Sequence, residues 1–291
     1  MASLKDVRLK ITGVTKTRQI TKAMYMVASA KLRGAQQRIE RFRPYADKFY
    51  DMLRNLGGKA EEAAHPLLEA RQGTGGAGIV LCTSDRGLCG GFNANITAAA
   101  LKFATEKSAA GKRISFYCLG RKGRDAVRSL GHETPLALIG RMNSISYELA
   151  SETGARVIDD FMSGALDEVH LFYGEFINLA RQKPAAIRLL PIAADDTPGP
   201  EEKAVADYVY EPTVAELLNE LLPRYIKVQI YRALLDTSAG ENAARMQAMD
   251  NATRNCDEMI RGLTLLMNKT RQAAITNELI DIVGGVEALK G

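Results

Sequence analysis

The residues best suited by type and spacing to do chemistry run from Ser84 to Asn93, reading Ser-Asp-Arg-Gly-Leu-Cys-Gly-Gly-Phe-Asn. They follow an apolar run, Ile79-Val80-Leu81-Cys82-Thr83, and precede a helical pattern, the place where a nucleotide-binding loop sits. The spacing matches neither GxGxxG nor GxxxxGK[ST], and no Lys stands where it would reach a phosphate. Cys89 is a candidate nucleophile, with its thiolate stabilised at a helix N-terminus. It needs a base, and the chain offers only His65, His132 and His170. His65 falls in a linker, and neither of the others has a carboxylate in a recognisable arrangement. The favoured reading is a tight glycine turn carrying a buried cysteine.

The acidic pairs Asp159-Asp160 and Asp195-Asp196 suit metal or acid/base work, but a solvated helix face and a linker account for them. Four separate cysteines without a CxxC pair predict reduced thiols and no metal site. We therefore expect no catalytic, cofactor-binding or metal-ligating residue. The net charge of +5 is concentrated at one end, with 13 Lys or Arg against 4 Asp or Glu in residues 1–56. Such a segment seeks an acidic partner. Its charges are scattered around the helix without aromatic stacking residues, so solvated or protein-facing charge is favoured over nucleic-acid binding. The N-terminus is charged at once, unlike a secretory leader. No apolar stretch reaches the roughly 18 residues needed to span a membrane.

These groups sit between two long helical patterns. From Leu4, alternate steps of three and four give Val7, Ile11, Val14, Arg18, Thr21, Tyr25, Ala28, Leu32, Ala35, Ile39, Phe42, Ala46, Phe49, Leu53 and Leu56, and only Arg18 and Thr21 are clearly polar. A heptad pattern sustained this far predicts a coiled coil, roughly 80 Å long at 1.5 Å per residue. Pro44 should bend it near Glu40, and Gly57-Gly58 should stop it. At the other end, Pro212 and the Thr213/Glu216 capping box open a second helix. Its seam runs through Val214, Leu217, Leu221, Val228, Tyr231 and Leu235, then Met249, Ala252, Cys256, Met259, Leu263 and Leu266. Ser238, Asn242 and Arg245 stand between, and Pro223 should bend the first turns. With no strong breaker before Gly284-Gly285, this helix could reach about 110 Å. Paired antiparallel, its end projects alone, carrying Ile275, Leu279, Ile282, Val283 and Val286, and a bare apolar tip implies a partner that sheathes it.

The middle alternates strands and helices: strands at 79–83, 114–119, 169–173 and 186–192, with helices at 93–107, 121–130 and 144–162. This predicts a mostly parallel, Rossmann-like sheet. The fold class is therefore α/β, a long antiparallel coiled coil of the terminal helices with an inserted α/β domain. The divisions are 1–57, 78–192 and 213–287, joined by linkers at 57–76 and 193–212. Two rival classes remain at this point. A Rossmann-type enzyme with helical dimerisation arms would bind nucleotide and depend on Cys89. A nucleic-acid-binding coiled coil would bind DNA with steep salt dependence.

Four stretches together resemble the gamma subunit of the F-type ATP synthase: Ile20-Thr21-Lys22-Ala23-Met24 with Met26-Val27-Ala28 and Lys31-Leu32-Arg33; the 84–93 loop; Glu241-Asn242-Ala243-Ala244-Arg245-Met246; and Arg271-Gln272-Ala273-Ala274-Ile275-Thr276-Asn277-Glu278-Leu279. They occur in the family's order over nearly the whole chain. Val286 departs from the small residue expected there, and the long cysteine-bearing insertion of the redox-controlled chloroplast form is missing. The resemblance implies a non-catalytic rotor, present once per complex. It would turn with the membrane c-ring inside a hexamer of alternating alpha and beta subunits, peripheral to the cytoplasmic face of a bacterial inner membrane. Nucleotide and Mg²⁺ would belong to the hexamer. It further implies that Arg245, Gln272 and Thr276, with Glu278 nearby, contact an inward loop of a beta subunit. Met24 and Lys22 would lie near the acidic lever region of beta, and residues 41–54 and 217–225 would meet epsilon and the c-ring.

Overall fold

The structure is a computed structural model that describes residues 4–60, 65–71, 73, 75–192 and 214–290, with side chains outside that description at 53–60, 214–215 and 287–290. Asp195-Asp196, the linker after Ile192 and the Pro212/Thr213 cap lie outside the described residues. No described helix is long and apolar enough to cross a membrane.

Helix α1 (Leu4–Ala60) has 57 residues and helix α5 (Val214–Lys290) has 77. Pro44 and Pro223 both lie inside them. Gly57-Gly58, expected to stop the first helix, is also inside it, and α5 runs through Gly284-Gly285. A glycine costs about 1 kcal/mol in a helix interior, which weakens a turn without ending it. Along α1 every described heptad position from Leu4 to Phe49 is buried or half-buried, while most intervening positions face solvent.

Between these helices lie β1 (Gly76–Cys82), α2 (Phe92–Ala109), β2 (Ile114–Leu119), α3 (Arg121–Ser129), β3 (Glu133–Leu138), α4 (Tyr147–Met162), β4 (Leu166–Phe176) and β5 (Gln182–Leu190). They form one sheet in the order β3-β2-β1-β4-β5, parallel except for the antiparallel β4–β5 pair. Strand β3 escapes the sequence pattern because Pro135 interrupts it, and proline is tolerated on an edge strand. Strand β1 is buried on both faces and its side chains alternate between two cores. Ile79 and Leu81 join Phe92, Ile96 and Ala100 of α2 and Val127 of α3. Val80 and Cys82 join Leu149, Val157 and Phe161 of α4 and a long row of α5 residues.

The chain divides into two compact units. One is Ser29–Arg245, the other Met1–Ala28 with Met246–Gly291. In the first, α5 is buried on nearly every side from Leu218 to Ala243, because α1 covers one face and the sheet the other. Tyr50 packs edge-on to Tyr225 and Phe42 to Tyr231, an antiparallel order. The small residues read as aids to helix pairing serve the sheet as well. A Cβ on Gly240 would meet the Phe92 ring at 2.8 Å, and one on Gly174 of β4 at 2.4 Å, so two glycines make the slot for one ring. The segment at 65–71 is not a loose linker. Leu67 is buried in the core and its carbonyl accepts from the Ile192 amide, while Arg71 lies over the Phe161 ring and bonds that residue's carbonyl.

In the second unit the helices are again antiparallel. Arg18 bonds Asp257 at 2.9 Å, and the Thr21 and Thr253 hydroxyls are 2.8 Å apart. The α5 seam drifts from the expected track: Met259 and Leu266 are exposed, whereas Ile260, Leu263 and Met267 are half-buried. A helix of 3.6 residues per turn slips steadily against a strict 3.5 repeat.

Candidate functional site

The 84–93 loop, the most enzyme-like stretch of the sequence, is built to hold backbone. Asp85 is buried, and its carboxylate accepts hydrogen bonds from the amides of Arg121 (3.0 Å), Gly140 (2.8 Å) and Met142 (3.0 Å). It thereby ties β1 to the start of α3 and to the loop before α4. The Thr83 hydroxyl accepts from the Gly123 amide at 2.8 Å. Asn93 accepts from the Ser84 amide (2.9 Å) and donates to the Ser84 hydroxyl (2.8 Å), leaving the first turn of α2 without a side-chain cap.

Cys89 lies under this loop, buried, and its sulfur accepts from Asn93 Nδ2 at 3.2 Å. Burial pushes its thiol up, and the nearby Arg245 charge only partly opposes that. This is the opposite of an activated thiolate. Each histidine is engaged elsewhere. His65 Nδ1 accepts from the Leu67 amide, His132 packs on Phe116, and His170 sits on Phe103 while bonding Glu168 at 3.0 Å.

Glu168 and His170 are the carboxylate–histidine arrangement missed in the sequence. Their spacing of two on one strand was a legible signal, because alternate strand residues share a face. The partners Lys107 and Lys112, at 2.7 and 2.9 Å from Glu168, come from the far end of α2 and its following turn. Burial raises the Glu168 carboxyl, but bonds from both lysines and His170 outweigh it and hold it at about 2. Burial in turn pushes the His170 imidazole below its ordinary value. The cluster is a fully compensated ion network, with no free acid or base. Asp160, read as solvated, accepts from the Tyr117 hydroxyl (2.5 Å) and Arg156 (2.9 Å), while Asp159 is exposed. Among the described residues, no group of three or more His, Cys, Asp or Glu could hold a metal.

The six residues singled out for partner contact fall in different settings. Lys22 is exposed and Met24 half-buried on α1, and Lys22 lines a cavity with Arg18 and Asp257. Gln272, Thr276 and Glu278 are exposed on α5, and the Thr276 hydroxyl turns back to the Gln272 carbonyl at 2.9 Å. Arg245 is different. It belongs to the α/β unit, and its guanidinium bonds Glu241 at 2.5 Å and the Gly87 carbonyl at 3.1 Å.

The register of the second unit gives α5 a free end. Residue 18 faces 257 and 21 faces 253, so Leu4 comes opposite about residue 271 by the same antiparallel step. From Arg271 to Val286 every residue of α5 is exposed, including Ile275, Leu279, Ile280, Ile282 and Val283.

Paired terminal helices, an inserted α/β unit and an apolar helix end exposed to solvent define the class of fold. Comparison with known sequences agrees with that class. The sequence profile of the ATP synthase family matches residues 3–289. The chain is 61% identical to the ATP synthase gamma chain of Nitratidesulfovibrio vulgaris and 58% identical to that of Maridesulfovibrio salexigens, covering 100% of both chains in each case. In fold it is similar to a chain of the Euglena gracilis mitochondrial ATP synthase, seen in a cryo-EM structure of OSCP, F1 and c-ring. The TM-score is 0.65 at 20% identity, covering 98% of this chain and 94% of that one. The chain belongs to the family of ATP synthase gamma chains.

Proposed function

We propose that this chain is the central-stalk rotor subunit of an F-type ATP synthase, coupling proton-driven rotation of the membrane c-ring to ATP synthesis or hydrolysis on the beta subunits. It contributes no catalytic group of its own. Full-length identity to gamma chains supports this reading, as does the fold shared with a chain of the Tetrahymena thermophila central stalk and c-ring assembly (TM-score 0.57). The observation that carries it is the α5 end, exposed all round from Arg271 to Val286 and rich in large apolar side chains. A bare helix of this kind is sheathed in its working state, and a collar of alpha and beta subunits is the sheath proposed.

Within that collar, Gln272, Thr276 and Glu278 touch an inward loop of a beta subunit, together with Arg245 when its internal bonds give way. Lys22 and Met24 face the acidic lever region of beta. Apart from Arg245, these are exposed or half-exposed groups, so each of their contacts is modest and screened. A rotating surface needs this, because a strong pair at one angle becomes a barrier at the next. The insert at 78–192 and the helix stretches at 41–54 and 217–225 form the foot toward epsilon and the c-ring. The complex lies on the cytoplasmic face of a bacterial inner membrane, with one copy of this chain in each.

The test is purification from membranes through a tag on the α/β insert. Alpha and beta subunits recovered in excess over this chain, with ATPase activity, support the reading. Recovery of this chain alone sinks it. Replacing Gln272 and Thr276 together by Ala should then lower coupled ATP synthesis more than assembly, and unchanged coupling removes those two residues from the contact.

A further inference from the structure

Arg245 is the last residue of the α/β unit on α5, and its side chain is only 12% exposed. One turn earlier Glu241 is 10% exposed and bonds Arg245 Nη2 at 2.5 Å. Burial pushes the Glu241 carboxyl up and Arg245 opposes this, so the pair has lost most of its water and depends on its own geometry. With Nη2 held by Glu241, the guanidinium fork presents Nη2 (3.1 Å) and Nε (3.3 Å) to the Gly87 carbonyl. That carbonyl immediately precedes Leu88, a non-glycine residue at φ 63° whose side chain is 63% exposed. Apolar burial therefore does not hold Leu88 in its left-handed conformation, and the peptide before it is bonded by Arg245.

We propose that Arg245 is a positioning residue: oriented by Glu241, it latches the Gly87 carbonyl and fixes the tip of the 84–91 loop, with Cys89 beneath it, to α5. The other tethers come from the loop itself and the first turn of α2: Ser84 and Asn93 bond the Arg86 carbonyl, Asn93 also bonds the Cys89 sulfur, and Asp85 holds the loop's base. Among the described residues, the latch is the side-chain hydrogen bond that joins the tip to α5, at the residue where that helix leaves the unit. The assignment rests on this geometry and stands whether or not the chain is a rotor. Its consequence for the rotor is that an external acceptor reaches Arg245 only by displacing Gly87 or Glu241.

Cys89 reports on the latch. The whole chain is exposed to a thiol-reactive maleimide under native conditions, and the label is located by mass spectrometry. Half-buried Cys256 marks ordinary reactivity, while buried Cys82 and Cys118 mark general unfolding. Arg245→Gln should speed labelling of Cys89 roughly tenfold, as expected when a local opening loses one charge-assisted bond, with Cys82 and Cys118 still protected. Arg245→Lys, which keeps a charged donor, should restore part of the protection, and Glu241→Gln should give a smaller rise. An unchanged Cys89 rate in Arg245→Gln overturns the proposal. So does a rise matched by Cys82 and Cys118, since the residue would then only stabilise the unit. Should Arg245→Gln fail to fold, an unchanged Cys89 rate in both Arg245→Lys and Glu241→Gln overturns it equally.

Discussion

The hydroxyls of Thr21 and Thr253 meet at 2.8 Å across two antiparallel helices, and Arg18 reaches Asp257 one turn further along. The two polar positions in an otherwise apolar heptad row are therefore the two that bond across the seam. With one proton each, one hydroxyl donates across the seam while the other donates to a carbonyl on its own helix, Arg18 for Thr21 or Met249 for Thr253. Replacing Thr21 alone by Val should cost about 1 kcal/mol, because the Thr253 hydroxyl loses its cross-seam partner. The Thr21→Val, Thr253→Val double variant should recover most of that in a urea-unfolding cycle. The Arg18–Asp257 pair has side chains 42% exposed, so Arg18→Ala should cost less than about 1 kcal/mol, and less still in high salt.

Asp85 is a stronger case. Its carboxylate is the acceptor for three backbone amides from two separate segments. Asp85→Ala strands those donors in the interior and should destabilise the α/β unit by about 3 kcal/mol or more. Asp85→Asn keeps one acceptor oxygen and should fall between. Equal midpoints for Ala and Asn would contradict this bracket.

The Phe92 slot makes a steric prediction. Gly174→Ala places a Cβ 2.4 Å from the ring, which is boxed in by Gly240 on the other side. Overpacking of this kind costs about 1–3 kcal/mol. Phe92→Leu should relieve part of it in the double variant, which a thermal-melt comparison would register.

Stability should also depend on pH through Asp236. It lines a cavity of about 230 Å³ with Arg43 and Asp47 of α1, Glu175 of β4 and Arg232 of α5. Burial lifts its carboxyl to about 6, aided by Glu175 and opposed by Arg232 and Arg43. The folded chain therefore holds this proton more tightly than the unfolded chain does. The stabilisation is fully present below about pH 4 and is lost as pH rises through 6. Asp236→Asn should raise the urea midpoint at pH 7 and flatten its slope between pH 4 and 6. A variant as pH-dependent as the parent would show that the proton resides elsewhere. Glu168, held at about 2, acts in the other direction and at lower pH: its stabilisation is lost only as pH falls toward 2.

The terminal helices were legible from the order of residues alone. Periodicity is a local property, and a stripe of apolar side chains every three or four residues has one good solution, burial against another helix. Alternating strands and helices likewise imply a largely parallel sheet, because parallel neighbours need a crossover between them. The sequence also carried four family stretches in order, enough to imply gamma-chain kinship before any coordinate. Long-range pairing decided the rest. The seam beyond Cys256 moved to Ile260 and Met267 because a real helix drifts from a strict heptad. Gly57-Gly58 stayed helical because two unfavourable residues do not outweigh a continuing helix. Asp85 and Arg245 look like residues for a ligand or partner when read one at a time. Their internal partners became visible only when the fold brought the amides of Arg121, Gly140 and Met142, and the Gly87 carbonyl, to within a hydrogen bond of them. A charged side chain's role is set by what shares its burial, and no linear spacing encodes partners 55 or 158 residues away.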